Sequence, residues 1–192
     1  MFAYCNNSPA NRIDSQGATS EEAADELIED NKDAIIAAGD EFGVDPAIIA
    51  GCIYAEQVMN VDWIDTLTDV PCFWADTSIG IGQVKVSTAI LLEDAGYLPK
   101  TEGHWYSPRS LQVALKLTNE EYNIRCVAAY LKYWTDQWED TLNIARKADI
   151  LGTLYNLGDN AREPNTSPKS NDFGRKVGSV YGKMHGLLYV IV

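Results

Sequence analysis

The chain has 192 residues, enough for one domain with a substantial core and short extras. Its 28 acidic and 15 basic residues give a net charge of −13, which argues against a nucleic-acid partner because phosphate recognition needs a basic face. No apolar run approaches the roughly 20 residues that span a bilayer, and four cysteines without a C-x-x-C pair, beside only His104 and His185, argue against a structural zinc site or a cysteine protease.

In chain order, residues 1–17 carry no signal-peptide pattern and are rich in Asn, Pro and Gly. A helix is expected from about Ser20 to Phe42, with acidic residues in its first turns complementing the helix dipole. A second runs from Pro46 to about Gln57, with Asp45 as N-cap and Pro46 at the first helical position. Residues 60–79 read as a long loop with Trp63, Pro71, Trp74 and four aspartates; a small β-hairpin fits within 60–80. A helix over about 85–95 stops at Gly96, and a loop over 97–106 leads to Ser107-Pro108 and a short helix to Leu117. Asn119 opens a long helix to about Trp138, and another spans about 142–157. Residues 159–172 are polar and carry Pro164 and Pro168, hence a loop, and a last helix covers about 173–185. The tail Leu187–Val192 is apolar but too short to span a membrane, and reads as a packed strand or end segment. The fold class is therefore mostly α.

Glu56 stands out. Counting back three, four, seven and eight positions gives Ile53, Cys52, Ile49 and Ile48, so the acid lies on the stripe that faces the core. Burial penalises the ionised form and raises the pKa. A carboxyl group that stays protonated near neutrality is what a general acid for glycosidic cleavage requires. About 25 residues later comes Ser78-Ile79-Gly80-Ile81-Gly82-Gln83, where glycines permit close backbone approach and Gln83 offers both donor and acceptor. Cys52 and Cys126 fall on apolar helix stripes, either as buried thiols or as a disulfide. Five Trp and ten Tyr suit a sugar-binding groove, although most aromatics of this kind belong to a core.

The order of four segments carries a resemblance. The Asp45–Gln57 helix, Ser78–Gln83, Asn123-Ile124 through Tyr130-Leu131, and Tyr155-Asn156-Leu157-Gly158 together resemble the goose-type lysozyme and lytic transglycosylase superfamily over residues 32–185. Gln57 stands where that superfamily has Ser, Gly82 where it often has Met, and Cys126 where Gly is common. The resemblance implies a lysozyme-like fold, Glu56 as catalytic acid, and substrate contacts from Gln57, Ser78, Gly80, Gln83, Tyr155 and Asn156, with the Tyr-Asn pair opposite Glu56. It implies no metal and no organic cofactor. Trp74-Ala75-Asp76 is similar to the Trp-Gly-Asp of goose-type enzymes, which makes Asp76 the candidate second carboxylate. With Asp76 as base the reaction is an inverting hydrolysis; with Glu56 alone it is a transglycosylation.

Residues 4–17, Tyr4-Cys5-Asn6-Asn7-Ser8-Pro9 to Gly17, resemble the closing segment of Rhs/YD-repeat shells, which precedes a variable toxin domain. The chain thus divides into residues 1–19, shell end or linker, and residues 20–192, the catalytic domain. The resemblances imply an antibacterial muramidase that cuts the bond between N-acetylmuramic acid and N-acetylglucosamine, is secreted, and acts at the cell wall or periplasm of target bacteria. The implied partners are peptidoglycan strands and a cognate immunity protein, which the strong negative charge suggests is basic. The alternative is a catalytically idle lysozyme-fold module that binds glycan or protein.

Overall fold

The computed structural model describes residues 21–59, 78–105, 107–158 and 163–189. Within them the chain forms α1 (Glu21–Asp30), α2 (Lys32–Phe42), α3 (Pro46–Met59), β1 (Ser78–Ile79), β2 (Val84–Lys85), α4 (Val86–Asp94), α5 (Arg109–Leu117), α6 (Glu120–Trp138), α7 (Ala148–Leu157) and α8 (Asp172–Tyr189). The mostly helical expectation holds; a small β-hairpin over 78–85 brackets the glycine turn, with Ser78 paired to Lys85 and Ile79 to Val84, whereas most of the 60–80 stretch in which a hairpin was expected lies outside the described residues.

Helix α3 is the axis of the molecule. Every residue from Ala47 to Glu56 is buried, and α1, α2, α6, α7 and α8 all pack against it. Its sequence explains this: Ala, Ile, Gly, Cys and Tyr leave it apolar on every side, so it is a core helix rather than an amphipathic one. Asp45 fixes its start, accepting the Ala47 amide at 2.9 Å through Oδ1 and the Tyr181 hydroxyl of α8 at 2.6 Å through Oδ2. Its buried Tyr54 ring lies under the Nζ atoms of Lys176 and Lys183, 5.3 and 4.6 Å from the centroid. Those lysines pair with Glu21 and Asp25 of α1 at 2.9 and 2.6 Å, which fastens α1 across α3 and α8.

Three boundaries differ from the sequence reading. The single helix expected over 20–42 bends at Asn31, whose side-chain Nδ2 donates to the Leu27 carbonyl at 3.1 Å and competes with the helical ladder. The helix expected from Leu142 begins at Ala148, because Asn143 Oδ1 accepts the Ala145 amide and holds residues 143–145 in a turn. The last helix is longer than expected: Asn171 Oδ1 accepts the Gly174 amide at 2.8 Å at its start, and the helix continues to Tyr189, so Leu187–Tyr189 is helical rather than a strand.

Candidate active site

Glu56 lies one turn before the end of α3 and is only 6% exposed. Burial penalises its ionised form through lost hydration, and its pKa is pushed from 4.5 up to about 8. The carboxyl group is therefore mostly protonated at neutral pH. Tyr155, buried on α7, lies within electrostatic reach of Glu56, Cys52 and Cys126. Burial first, and then the Glu56 charge, raises its phenol well above its ordinary value, so Tyr155 remains a hydrogen-bond donor.

That donor goes to the glycine turn: the Tyr155 hydroxyl donates to the Gly82 carbonyl. The turn is held from two further directions. Gln57, next to the acid, donates from Nε2 to the Ile81 carbonyl at 2.8 Å. Asn123, in the first turn of α6 and fully buried, accepts the Gly82 amide through Oδ1 at 2.8 Å and donates through Nδ2 to Ile79 O at 2.7 Å and Leu117 O at 3.0 Å. Inside the turn, Gln83 donates its amide to Gly80 O at 3.0 Å and its side-chain Nε2 to the same oxygen at 2.8 Å.

The glycines are required by this geometry. Gly80 has φ of 75°, and a Cβ there would lie 2.8 Å from Leu117 O and collide with the Asn123 amide. At Gly82 a Cβ would collide with Val127 and reach 3.0 Å from Asn123 Oδ1. The residue following, Gln83, takes φ of 50°, a left-handed conformation uncommon for a non-glycine residue. Its double bond to Gly80 O compensates locally, and residues strained in this way cluster at functional sites.

Among the residues singled out from sequence, Gln57, Gly80, Gln83 and Tyr155 meet in this one turn, and Glu56 precedes Gln57 and lies within electrostatic reach of Tyr155. Ser78 opens β1 at the base of the hairpin and is half-exposed. Asn156 is exposed on α7, and its Oδ1 accepts from Asn171 Nδ2 at 2.9 Å, so the Tyr-Asn pair splits, Tyr155 toward the turn and Asn156 toward the 163–171 segment. Asp76 and residues 1–19 lie outside the described residues. Asn123 is the brace that sequence reasoning passed over as a site residue. Its signal was present: an amide side chain at the head of the Asn-Ile segment, in the first turn of an otherwise apolar-faced helix.

Cys52 and Cys126 are free, buried thiols. Burial pushes Cys126 up to about 12 and Cys52 well above the ordinary thiol range, so neither offers a thiolate for nucleophilic or metal chemistry. Among the described residues, no group of three or more His, Cys, Asp or Glu is placed to hold a metal ion, and no helix is long and apolar enough to cross a membrane.

A mostly helical domain with a buried glutamic acid near the end of its central helix and a braced glycine turn on a short hairpin is consistent with a lysozyme-like fold. The chain belongs to the family described as T6SS, peptidoglycan muramidase Tse3, catalytic domain, which it matches over residues 18–136. No curated protein matches it. Membership makes the domain a peptidoglycan muramidase and sets aside the idle-module alternative. The match includes Glu56, the glycine turn and Asn123, and ends before Tyr155.

Proposed function

We propose that Glu56 is the general acid with which this muramidase cleaves the β-1,4 bond between N-acetylmuramic acid and N-acetylglucosamine. The observation that carries the reading is the buried Glu56 carboxyl, with its pKa near 8, beside a turn over-determined by Gln57, Asn123 and Tyr155. The braced turn supplies a fixed edge against which a sugar can be seated, and such pre-organisation is what positions a scissile bond near a donor. Glu56 delivers its proton to the glycosidic oxygen as the C1–O bond breaks, and the leaving sugar departs with that proton. The oxocarbenium-like centre is then captured in one of two ways. In the hydrolytic route Asp76 acts as the general base and removes a proton from water, which adds to C1 with inversion. In the transglycosylase route ionised Glu56 takes the proton of the muramyl 6-hydroxyl, whose oxygen closes a 1,6-anhydro ring.

The domain serves in this reading as an antibacterial toxin acting outside the cytoplasm, on the cell wall. The resemblance of residues 4–17 to the end of an Rhs shell supports delivery as the tip of a larger protein. The net charge of −13 supports a basic immunity protein as the partner that blocks the cleft. Glu56→Gln keeps shape and hydrogen bonding but removes the proton, and the turbidity clearance of purified peptidoglycan should fall by about 10²-fold or more. A variant that retains more than about a tenth of the wild-type rate places the acid elsewhere. Mass spectrometry of the released muropeptides separates the routes: reducing ends mean hydrolysis, anhydro ends mean transglycosylation.

A further inference from the structure

Trp105 is 95% exposed, the most exposed large hydrophobic side chain among the described residues. Tryptophan is on average a strongly buried residue, and apolar surface of that size is costly to leave in water. The backbone beneath it is fixed. His104 and Ser107 exchange backbone hydrogen bonds at 2.9 and 3.0 Å, which closes the tight reverse turn that carries Trp105. Both flanks of the turn are fastened to one carboxylate, Glu93 of α4, whose side chain is fully buried. Before the turn, the Thr101 amide donates to Glu93 Oε2 at 3.0 Å, and the Thr101 hydroxyl donates to Oε1. After it, Arg109, the first residue of α5, donates to Oε2 from Nε at 3.2 Å and from Nη2 at 2.8 Å. The backbone at Gly103 lies so close to α5 that a Cβ there would sit 3.1 Å from the Arg109 amide nitrogen. A loop fixed before binding loses little entropy when a ligand arrives, and an aromatic side chain adds large contact area for two rotatable bonds.

The setting of the indole selects its ligand. Glu102 and His104, its neighbours in the loop, are exposed and polar. An anchor for a protein partner sits at the centre of a desolvated ring of contacts, whereas this loop surrounds its aromatic with polar groups. A net charge of −13 opposes an anionic membrane surface. A sugar ring needs one flat π face against its C–H groups and polar side chains at the edge for its hydroxyls, which is what the loop offers. The loop stands at the opposite end of the α4–α5 pair from the reactive hairpin. Helix α4 leaves directly after β2, and α5 returns to Leu117, whose carbonyl accepts from Asn123 at the turn. The nine residues of α4 span about 13 Å, so a polymer can touch both places and a single sugar cannot. We infer that Trp105 is a remote glycan subsite, a stacking platform for a sugar ring of the peptidoglycan strand away from the bond being cut. It rests on the muramidase family for its ligand class and not on Glu56 as the acid.

The test uses the full chain and its co-sedimentation with purified insoluble peptidoglycan in the cold. Trp105→Ala should weaken binding about five- to tenfold, the worth of one aromatic contact. Trp105→Phe, which keeps a flat π face, should recover most of that loss. Because the ring is 95% exposed, both variants should unfold in urea at the wild-type midpoint. In ¹⁵N spectra of the wild type, the Trp105 indole resonance, identified by its disappearance in Trp105→Phe, should move on addition of chitotetraose, a soluble chain of N-acetylglucosamine. Binding that Trp105→Ala leaves unchanged, or a Phe variant as poor as the Ala variant, overturns the inference, and so does an indole resonance that chitotetraose does not move. Muropeptide release by the same preparations reports on the Glu56 reading separately. Release with binding indifferent to Trp105 removes the subsite alone, and Trp105-dependent binding without release removes the Glu56 chemistry alone.

Discussion

The Glu56 carboxyl should write its own signature into the pH dependence of stability. In the unfolded chain it titrates near 4.5, and in the folded protein near 8. Between those values the folded state holds a proton that the unfolded state has released, so stability falls as pH rises through this window. The slope is about 1.4 kcal/mol per pH unit from this group, and it levels off above about pH 8. The full span corresponds to roughly 4–5 kcal/mol for a side chain only 6% exposed. Glu56→Gln cannot ionise and escapes this loss. Urea unfolding of both proteins at intervals from pH 4 to 9 isolates the effect, because every other group cancels in the difference. The variant should gain on the wild type steadily from about pH 4.5 to 8, ending several kcal/mol ahead of its position at low pH. A difference that stays constant within about 1 kcal/mol means that Glu56 titrates normally and that desolvation does not govern the site. Activity should follow the same group in the same direction: the rate declines about tenfold per pH unit above pH 8 as the acid loses its proton.

Asn123→Ala removes three hydrogen bonds, two of them buried, and leaves the Gly82 amide and Ile79 carbonyl without their Asn123 partner; urea unfolding should show a loss of about 3 kcal/mol, and kcat/KM should drop more than stability alone explains. If activity survives intact, the turn does not position substrate. Asp76→Asn should lower the rate by about 10²-fold if the products have reducing ends, and change little if they are anhydro-sugars; a large loss with anhydro products contradicts both routes. A chain starting at Ser20 should keep full activity, since α1 begins at Glu21 and carries its own ties to α8; a folded but inactive truncation breaks the division at residue 19.

The acid and the turn were legible in sequence because both leave local marks. Glu56 follows an apolar run at helical spacing, and Gly80-Ile81-Gly82 marks a tight backbone approach. The partners of the turn were less so, since hydrogen bonds from Gln57, Asn123 and Tyr155 span 24, 41 and 73 positions of sequence, and local pattern carries no such distances. Gln57 illustrates the point. From sequence it is a departure from the superfamily's Ser and an implied substrate contact, whereas in the fold its amide holds Ile81. The apolar stripe of α3 was read correctly as far as it went, but periodicity on one face does not reveal that five helices enclose the other faces too. Helix ends were shifted where Asn31, Asn143 and Asn171 bond to nearby backbone, a choice decided by side-chain geometry rather than composition.

The hairpin has two residues in each strand, far too few to persist unaided. It exists because α3, α6 and α7 each hold it by one side chain, and those helices come from distant parts of the chain. The turn therefore depends on contacts between distant parts of the chain that no local fragment contains. In the unfolded chain Glu56 titrates as an ordinary carboxylate, and the turn is absent. The raised Glu56 pKa and the braced turn are thus properties of the packed fold, and both vanish together on unfolding.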